Sequence, residues 1–337
     1  MAEQRSAPTH CRPYNRGAAA LRAYWWVVIL FDQPIPFPYN GRMQQFDLCL
    51  PWYWEYDLDF VQMVEDACRA RQLSFLQVTP ASLLDVTTAL YKGELIFRAL
   101  LDRSQGDARF EPLTRWARAN ACRRINPAEL SAWSEYKTTM HMDLIQAGLH
   151  TPYTILLPSF IDQPVIPELD LSRLGGQFVI KPSNGGGGEG VVMGASSQYE
   201  VLRARMEFPQ QKYLVQAYVN PRSVDGRPAW FRIFYAAGQC YACWWNPLTH
   251  VYAMVTPEEQ ARHQLDRLIS DTQRIASLCR LDWFSTEIAL TDDQFIVVDY
   301  VNDGIDTRIQ SRALDGVPDE VMRGIAERLV RLIEEQP

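Results

Sequence analysis

The sequence predicts an α/β protein whose C-terminal part is α+β. Strand-like apolar segments alternate with helical patterns up to residue 125, and pairs of strands joined by short turns follow beyond residue 150. A run of four glycines at 185–188 joins one such pair. Strands that alternate with helices predict a parallel sheet with its loops at one edge, the usual place for a ligand.

The composition limits the class of protein. A chain of 337 residues corresponds to about two domains. With 47% hydrophobic and 22% charged residues, disordered, collagen-like and coiled-coil chains are excluded. The formal net charge of −7 argues against a protein that coats nucleic acid or anionic lipid, so we expect no nucleic-acid partner.

Neither a membrane span nor a disulfide framework is predicted. The longest apolar run, residues 23–31, has about half the length of a membrane span, and the preceding Arg22 makes it a poor signal peptide. The seven cysteines are scattered, and for the one close pair, Cys240 and Cys243, a strand context favours packed thiols over a zinc site. We therefore expect a cytoplasmic protein with no membrane partner.

The first domain is predicted at 21–125, after a flexible tail at 1–20. Its predicted elements are strand 24–31, helix 60–68, strand 73–78, helix 82–91 and a segment at 94–101 that is compatible with strand or helix. The segment 32–59 is rich in proline and aromatic residues and is predicted to be a loop. Packing in the core or an interface is favoured over stacking on a substrate for its aromatic residues Trp52, Tyr53, Trp54 and Tyr56.

The second domain is predicted at 126–337. A helix at 136–146, capped by Ser134 and ended by Gly148, opens it. The apolar face of that helix is formed by Met140, Leu144 and Ile145. The remaining predicted elements are strands at 153–157, 177–180 and 190–193, a helix at 198–207, strands at 213–219, 230–236 and 239–245, a helix at 257–279, strands at 283–290 and 294–301, and a helix at 319–335.

The glycine run indicates an anion site. Residues 178–192 read FVIKPSNGGGGEGVV, and four consecutive glycines allow a close approach of the backbone but add no side-chain packing. Backbone N–H groups on such a turn, with Lys181 beside them, are a typical phosphate-binding set. The spacing excludes a P-loop and a dinucleotide turn, and a hairpin without ligand is the alternative.

A second lysine, Lys137, lies near the start of the helix at 136–146. A helix start favours anions through its N–H groups and its dipole. A solvated surface charge is the alternative interpretation of Lys137.

Two carboxylates interrupt apolar strands. Glu287 lies within 283–290 and Asp299 within 294–301, where an unpaired charge is costly. A turn at 291–294 makes the two strands hairpin partners, so both carboxylates can face one side. With Asn302 they suit a hard cation such as Mg²⁺ held together with substrate phosphates. Salt bridges to Arg232 or Arg308 are the alternative.

The order of these motifs resembles the ATP-grasp superfamily. The matching parts are the helix with Lys137 and the segments VIKPSNGGGGEGVV, YLVQAYVN, AWFRIFY, STEIAL and VVDYVND. They are similar to D-alanine–D-alanine ligases, glutathione synthetases and the glutamate ligases that modify ribosomal protein, over residues 125–315. The resemblance implies an ATP-grasp fold with an N-terminal parallel α/β domain, a small lid subdomain at 150–220 and a metal-bearing subdomain at 221–337.

The resemblance also implies which residues bind ATP. Two lysines would hold the phosphates, namely Lys137 and Lys181. A flexible loop with one further donor would close over them, formed by Gly186, Gly187, Gly188 and Ser183. The backbone of an interdomain segment would read the adenine edge, and one acid would bind ribose, namely Gln216, Ala217 and Val219 for adenine and Asp225 for ribose.

The metal and substrate sites are implied in the same way. Glu287, Asp299 and Asn302 are similar to the metal ligands of the superfamily. Arg232 is similar to a strand arginine near the transferred phosphate or the substrate carboxylate, and with Lys181 it is the expected catalytic residue. Arg308 is expected to bind a substrate carboxylate.

One spacing departs from the pattern of the superfamily. The usual E-x-N puts both side chains on one face of a strand, whereas Asp299 and Asn302 are three positions apart. A β-bulge, or exit of the chain from the sheet after Val301, would bring the two side chains back together. Asp303 is the alternative ligand.

These roles imply an ATP- and Mg²⁺-dependent carboxylate–amine ligase that acts through an acyl phosphate on an amino acid, a peptide or another small carboxylate. A nucleotide-binding module without catalysis and a small-molecule kinase on the same fold are the alternatives. The sequence leaves the oligomeric state open, with a homodimer as the commonest assembly.

Overall fold

The structure, a computed structural model, describes residues 43–292 and 294–335. The predicted tail at 1–20 and strand at 24–31 lie outside the described residues. The described chain forms two compact units, Tyr153–Tyr218 and a larger unit of residues 43–152 together with 219–335. Across those described ranges, no helix has the length and apolar character to cross a bilayer.

The larger unit begins with a four-stranded parallel sheet. Its elements are β1 (Gln44–Pro51), α1 (Leu58–Ala70), β2 (Phe75–Val78), α2 (Leu83–Lys92), β3 (Leu95–Leu101), α3 (Glu111–Ala119) and β4 (Arg123–Ile125). The strand order is β2-β1-β3-β4, and every pair is parallel. The predicted α/β alternation is confirmed, and the segment left open at 94–101 is a strand.

The strand β1 corrects the loop predicted at 32–59. Leu48 and Leu50 pack in one core cluster with α1, and Cys49 packs in another with α2 and α3. An inner strand covered on both faces has a continuous apolar run instead of an alternating one. Here the run is only three residues long, between Asp47 and Pro51, so its pattern was too short to identify.

Two further helices of the larger unit, α4 (Ala128–Ser134) and α5 (Lys137–Gln146), follow the parallel sheet. The predicted cap Ser134 is instead the last residue of α4, where its Oγ donates to Leu130 O at 2.6 Å. Met140 and Leu144 are buried as expected, but Ile145 is 48% exposed. Adjacent helical residues are about 100° apart around the axis, so Ile145 points away from the face that Leu144 buries.

The smaller unit is an antiparallel sheet covered on one face by a helix. Its elements are β5 (Thr154–Leu157), β6 (Phe178–Pro182), β7 (Val192–Ala195), α6 (Gln198–Glu207) and β8 (Tyr213–Ala217). The strand order is β5-β8-β6-β7. A capping box of Ser197 and Glu200 begins α6. The helix buries Val201 in one core cluster with Phe178 and Ile180.

The rest of the larger unit is built on a five-stranded antiparallel sheet of order β13-β12-β11-β14-β15. The elements are β9 (Ser223–Val224), β10 (Arg227–Pro228), β11 (Trp230–Ala236), β12 (Gln239–Trp245), β13 (Tyr252–Met254), α7 (Pro257–His263), α8 (Asp266–Cys279), β14 (Trp283–Leu290), β15 (Phe295–Asn302) and α9 (Asp319–Glu334). The single helix predicted at 257–279 is two helices, because Gln264 adopts a left-handed conformation with φ of +54° and ends α7.

The closing helix α9 lies along the predicted apolar stripe. Val321, Ile325, Leu329 and Ile333 are all buried, in one cluster with residues of α1 and β11. The spacing of four therefore identified the buried face of this helix correctly.

Candidate active site

The carboxylates of Glu287 and Asp299 lie opposite each other on neighbouring strands. The register of β14 and β15 pairs Glu287 with Asp299 and Ser285 with Asn302. Two residues of β14 therefore span the same length as three residues of β15, which is a β-bulge. Directly opposed residues share a sheet face, so Asn302 lies on the same face as Glu287 and Asp299. The bulge lies between Asp299 and Asn302, where their spacing of three positions requires one if both side chains are to share a face.

Arg232 joins this group from the neighbouring strand β11, where it is paired in register with Glu287. Its Nη1 lies 3.4 Å from Glu287 Oε1, and its Nε donates to Ser285 Oγ at 3.1 Å. Trp230 Nε1 donates to the other carboxylate oxygen, Glu287 Oε2, at 3.1 Å. Both oxygens of Glu287 therefore have a fixed partner, which orients the carboxylate.

The surroundings of Arg232 hold its charge in place. Its guanidinium lies 5.5 Å from the centre of the Trp245 ring. Burial opposes the charge, but Tyr252, Glu287 and Asp299 more than offset that effect, so the pKa of Arg232 is raised. Arg232 is therefore a permanent cation beside two carboxylates, suited to stabilise negative charge that develops on a substrate.

The donor set fits a magnesium ion that is shared with phosphate oxygens. Among residues 43–292 and 294–335, no group of three or more His, Cys, Asp or Glu side chains forms a complete metal site. Two carboxylates and one amide oxygen, from Glu287, Asp299 and Asn302, are hard ligands that leave positions for phosphate. Asp303 instead accepts a hydrogen bond from Asn126 Nδ2, so Asn302 is the better third ligand.

Lys137 is the first residue of α5, and this helix packs against the bulged strand. One turn further along, His141 Nδ1 and the Tyr300 hydroxyl form a buried hydrogen bond of 2.6 Å. Tyr300 lies between Asp299 and Asn302, so this bond ties α5 to the bulge. His141 is therefore a buried histidine with a hydrogen-bond partner.

The buried His141 predicts a pH dependence of stability. Burial lowers its pKa from 6.5 to about 4, so the folded protein holds it neutral while the unfolded chain binds a proton. The free energy of unfolding should therefore decrease as the pH falls from about 6.5 to about 4, with a slope of at most about 1.4 kcal/mol per pH unit from this group. Urea unfolding across that range should show a shallower slope for His141→Gln, which keeps a partner for Tyr300 and cannot titrate. Equal slopes in the two proteins would contradict the contribution of His141 to the pH dependence of stability.

The remaining predicted phosphate-binding residues lie in the smaller unit. Lys181 is on β6 opposite Leu214 of β8, and Gln216 is opposite Val179. This register puts Lys181 and Gln216 on one face of the sheet, opposite to the face that α6 covers. Ser183 is buried, and its backbone N–H donates to Lys212 O at 2.8 Å.

The glycine run is a hairpin turn between β6 and β7, as predicted. Gly186, Gly187 and Gly188 are exposed, and Gly187 and Gly188 have positive φ values of +62° and +78°. Gly190 has φ of +69°, and a Cβ there would lie 2.6 Å from the Phe208 ring. The backbone conformation therefore disfavours side chains at Gly187 and Gly188, and close packing excludes one at Gly190.

The predicted adenine-reading segment follows β8. Gln216 is buried, and its Nε2 donates to Thr154 Oγ1 at 3.0 Å. The N–H of Ala217 donates to Tyr153 O at 2.8 Å. A nucleotide contact through Ala217 would therefore use its carbonyl. Val219 is the first residue of the larger unit after this segment.

Two predicted site residues are engaged with other side chains. Asp225 lies at the turn between β9 and β10 and accepts hydrogen bonds from Arg262 and His263, both at 2.9 Å. Arg308 lies between two aspartates, with Nη2 at 2.6 Å from Asp306 Oδ2 and at 3.0 Å from Asp315 Oδ2. A substrate carboxylate at Arg308 would have to compete with both.

Sequence reasoning missed three side chains of the candidate site, namely Trp230, Tyr252 and Ser285. The place of each side chain in the site depends on how neighbouring strands are aligned, and the sequence of a single strand gives no signal for that alignment. Trp230 could have been found, because it lies two positions from Arg232 and so shares its face of the strand.

The pair Cys240 and Cys243 is three positions apart on β12, so the two thiols face opposite sides of the sheet. Both are free thiols, as expected.

The fold can be compared with known structures. The chain matches no protein-family model and no curated protein sequence. It is similar to the structure of a RimK-domain ATP-grasp protein from Sphaerobacter thermophilus, with a TM-score of 0.56 and 16% identity over 85% of this chain and 99% of that one. It is also similar to D-alanine–D-alanine ligase from Bacillus anthracis complexed with ATP, with a TM-score of 0.57 and 12% identity over 87% and 100% of the two chains.

A third similar structure is the ATP-grasp ligase PsnB complexed with minimal precursor, Mg and ADP. Its TM-score is 0.54, and 16% of residues are identical over 86% of this chain and 98% of that one. The chain therefore has the ATP-grasp fold, which confirms the resemblance identified from its motifs.

Proposed function

We propose that this protein is an ATP- and Mg²⁺-dependent carboxylate–amine ligase that acts through an acyl phosphate. The observation that carries the proposal is the bulged register of β14 and β15, which puts Glu287, Asp299 and Asn302 on one face beside Arg232. The ATP-grasp fold supports the ligase class, because the similar structures are described as ligases of this fold.

In the proposed reaction, the phosphates of ATP are bound by the backbone of the glycine turn together with Lys181 and Lys137. A magnesium ion held by Glu287, Asp299 and Asn302 would neutralise charge on the phosphate oxygens. The substrate carboxylate attacks the γ-phosphorus in line, ADP leaves, and Arg232 stabilises the charge that develops on the transferred group. An amine then attacks the acyl carbon, phosphate leaves, and an amide bond remains.

The substrate class is an amino acid, a short peptide or a related small carboxylate. Structures with this fold include a D-alanine–D-alanine ligase, a D-cycloserine synthetase and a ligase complexed with a precursor peptide. The compounds in these names are amino acids, an amino-acid derivative and a peptide, and they support the proposed class for this chain.

Product analysis tests the proposed reaction. The purified full chain is incubated with ATP, Mg²⁺ and a pool of amino acids and dipeptides, and ADP and phosphate are measured with and without the pool. We expect ADP release that depends on the pool and a product whose mass equals the sum of two substrates minus water. Binding of ATP without any ADP would indicate a non-catalytic module, and a stable phosphoester product would indicate a kinase.

Lys181→Ala is expected to weaken binding of ADP about 10-fold or more, because it removes the cation next to the glycine turn. Calorimetry with Mg·ADP measures the effect. Lys212→Ala is the control, because it removes an exposed lysine of the same unit. Equal ADP affinities for the two variants would contradict a phosphate role for Lys181.

A further inference from the structure

Arg103 is a buried cation that contacts two separate segments of the larger unit. It follows β3 at the carboxyl edge of the parallel sheet and is 3% exposed. Its Nη2 donates to Asp57 Oδ1 at 2.7 Å and to Ile305 O at 3.1 Å. Its guanidinium also lies 5.3 Å from the centre of the Trp283 ring, on the strand that carries Glu287.

The first segment, residues 52–57, is held by Arg103 at both ends. At its start, Trp52 forms a parallel bridge with Arg103, whose N–H donates to Pro51 O at 3.0 Å. At its end, Asp57 is fully buried on the Arg103 guanidinium, although it is the N-cap residue of α1 and gives the helix no side-chain cap. Between these ends, Tyr53 and Tyr56 are 40% and 53% exposed.

The second segment, residues 303–308, directly follows Asn302. Arg103 holds it through the carbonyl of Ile305, and Asp57 holds it by accepting a hydrogen bond from the Thr307 hydroxyl. Ile305 and Thr307 are buried, whereas Asp306 and Arg308 alternate with them and are partly exposed. Residues 305–308 of the segment therefore alternate between anchored, buried positions and partly exposed ones.

The charges of Asp306, on this segment, and of Glu287 both act on the Tyr252 hydroxyl. Burial and the negative charges of Asp306 and Glu287 raise the pKa of the Tyr252 hydroxyl, whereas the positive charge of Arg232 acts in the opposite direction. Asp306 therefore lies close enough to the group around Arg232 and Glu287 to act on the same hydroxyl.

Stability alone does not account for the buried pair of Asp57 and Arg103. Within the described residues, Asp57 Oδ2 and Arg103 Nε are buried without any hydrogen-bond partner. Replacing a buried ion pair by apolar side chains of similar volume often leaves protein stability unchanged or raises it. A pair with unsatisfied polar atoms contributes less to stability than a fully hydrogen-bonded pair. What this pair provides is a fixed position for the two segments that it joins.

We propose that Asp57 and Arg103 are positioning residues of the proposed ligase site, forming a clamp that holds the exposed aromatic segment 52–57 and the segment 303–308, and through the latter the magnesium ligand Asn302. The inference rests on the proposed function for the role of Asn302, and the clamp itself is independent of it. Arg103 and its carboxylate partner together contact both segments.

The double variant Asp57→Leu/Arg103→Met tests the clamp, because it removes both charges together and leaves neither buried alone. Hydrogen exchange followed by mass spectrometry should become at least about 10-fold faster in peptides that cover 52–57 and 303–308, while exchange in β11 and β14 is unchanged. Calorimetry should show that Mg²⁺-dependent ADP binding is weakened at least about 10-fold, whereas ADP binding without Mg²⁺ is unchanged.

The exposed ion pair Arg71–Glu334 provides a matched control, because it joins two distant segments of the same unit and contacts neither segment of the clamp. Arg71→Met/Glu334→Leu should change neither hydrogen exchange in the two segments nor Mg²⁺-dependent ADP binding.

Thr307→Val removes one hydroxyl and should accelerate exchange in 303–308 while 52–57 stays protected. This variant tests the clamp if the double variant does not fold. Unchanged exchange in both segments would overturn the clamp, and faster exchange with unaltered Mg²⁺-dependent ADP binding would overturn its role in positioning Asn302. Absence of ligation by the unmodified protein would contradict the proposed function and leave the exchange result standing.

Discussion

Glu287→Gln is expected to lower acceptor-dependent ADP release at least about 100-fold. The amide keeps the size of the side chain and an oxygen that can accept the hydrogen bond from Trp230 Nε1. It removes the negative charge that lies 3.4 Å from Arg232 and that a magnesium ligand requires. The rate of ADP formation at saturating ATP and Mg²⁺ measures the loss, and calorimetry should show that ADP still binds without Mg²⁺.

Glu327→Gln is the matched control for this prediction, because it makes the same chemical change at an exposed position of α9. Its activity should equal that of the unmodified protein. Near-normal turnover by Glu287→Gln, with the fold intact, would remove the basis for the assigned metal site.

Arg205→Ala is expected to lower the stability of the smaller unit by about 3–5 kcal/mol. Arg205 is fully buried on α6, and its guanidinium donates to the carbonyl oxygens of Pro158, Ser159 and Gln163 at 2.7–3.0 Å. Truncation removes the Arg205 donor from these carbonyls, of which Ser159 O still accepts from the Gln163 N–H, and leaves a cavity. Hydrogen exchange of β6 and β8 reports the free energy of opening for this unit.

Arg203→Ala is the control on the same helix. Arg203 is exposed, and its guanidinium lies 6.0 Å from the centre of the Tyr199 ring. A surface contact of this kind should change the opening free energy by no more than about 0.5 kcal/mol. Similar effects of the two substitutions would show that the carbonyl contacts of Arg205 contribute little.

The elements that sequence analysis identified are those with long, regular patterns. The stripe of α9 and the helix α1 were predicted correctly, because each buried face repeats over several turns. The nine-residue helix α3 was missed, as were two strands with short apolar patterns. The strand β4 has three residues, and β1 contains only three consecutive fully buried apolar residues, so neither has a period that can be distinguished from chance.

The candidate site shows the same division between local pattern and register. The acids Glu287 and Asp299 were found because a carboxylate within an apolar strand is costly and indicates a role. Trp230 and Tyr252 were not found, because their contacts with Glu287 and Arg232 depend on which strands are neighbours and how they are aligned. The Asp57–Arg103 pair joins residues 46 positions apart and gave no local signal at all.

Local sequence was enough to predict a candidate chemistry for this protein, from glycines and a lysine at one turn, two acids and an amide on one hairpin, and an order of motifs that resembles ATP-grasp proteins. Which of these side chains meet was settled by packing in three dimensions. One extra residue in β15 between Asp299 and Asn302 offsets their odd spacing, so this bulge puts Asn302 on the same face as Glu287. A long-range hydrogen bond engages Asp303 with Asn126, and two aspartates close in sequence hold Arg308, contacts that the residue types alone did not predict.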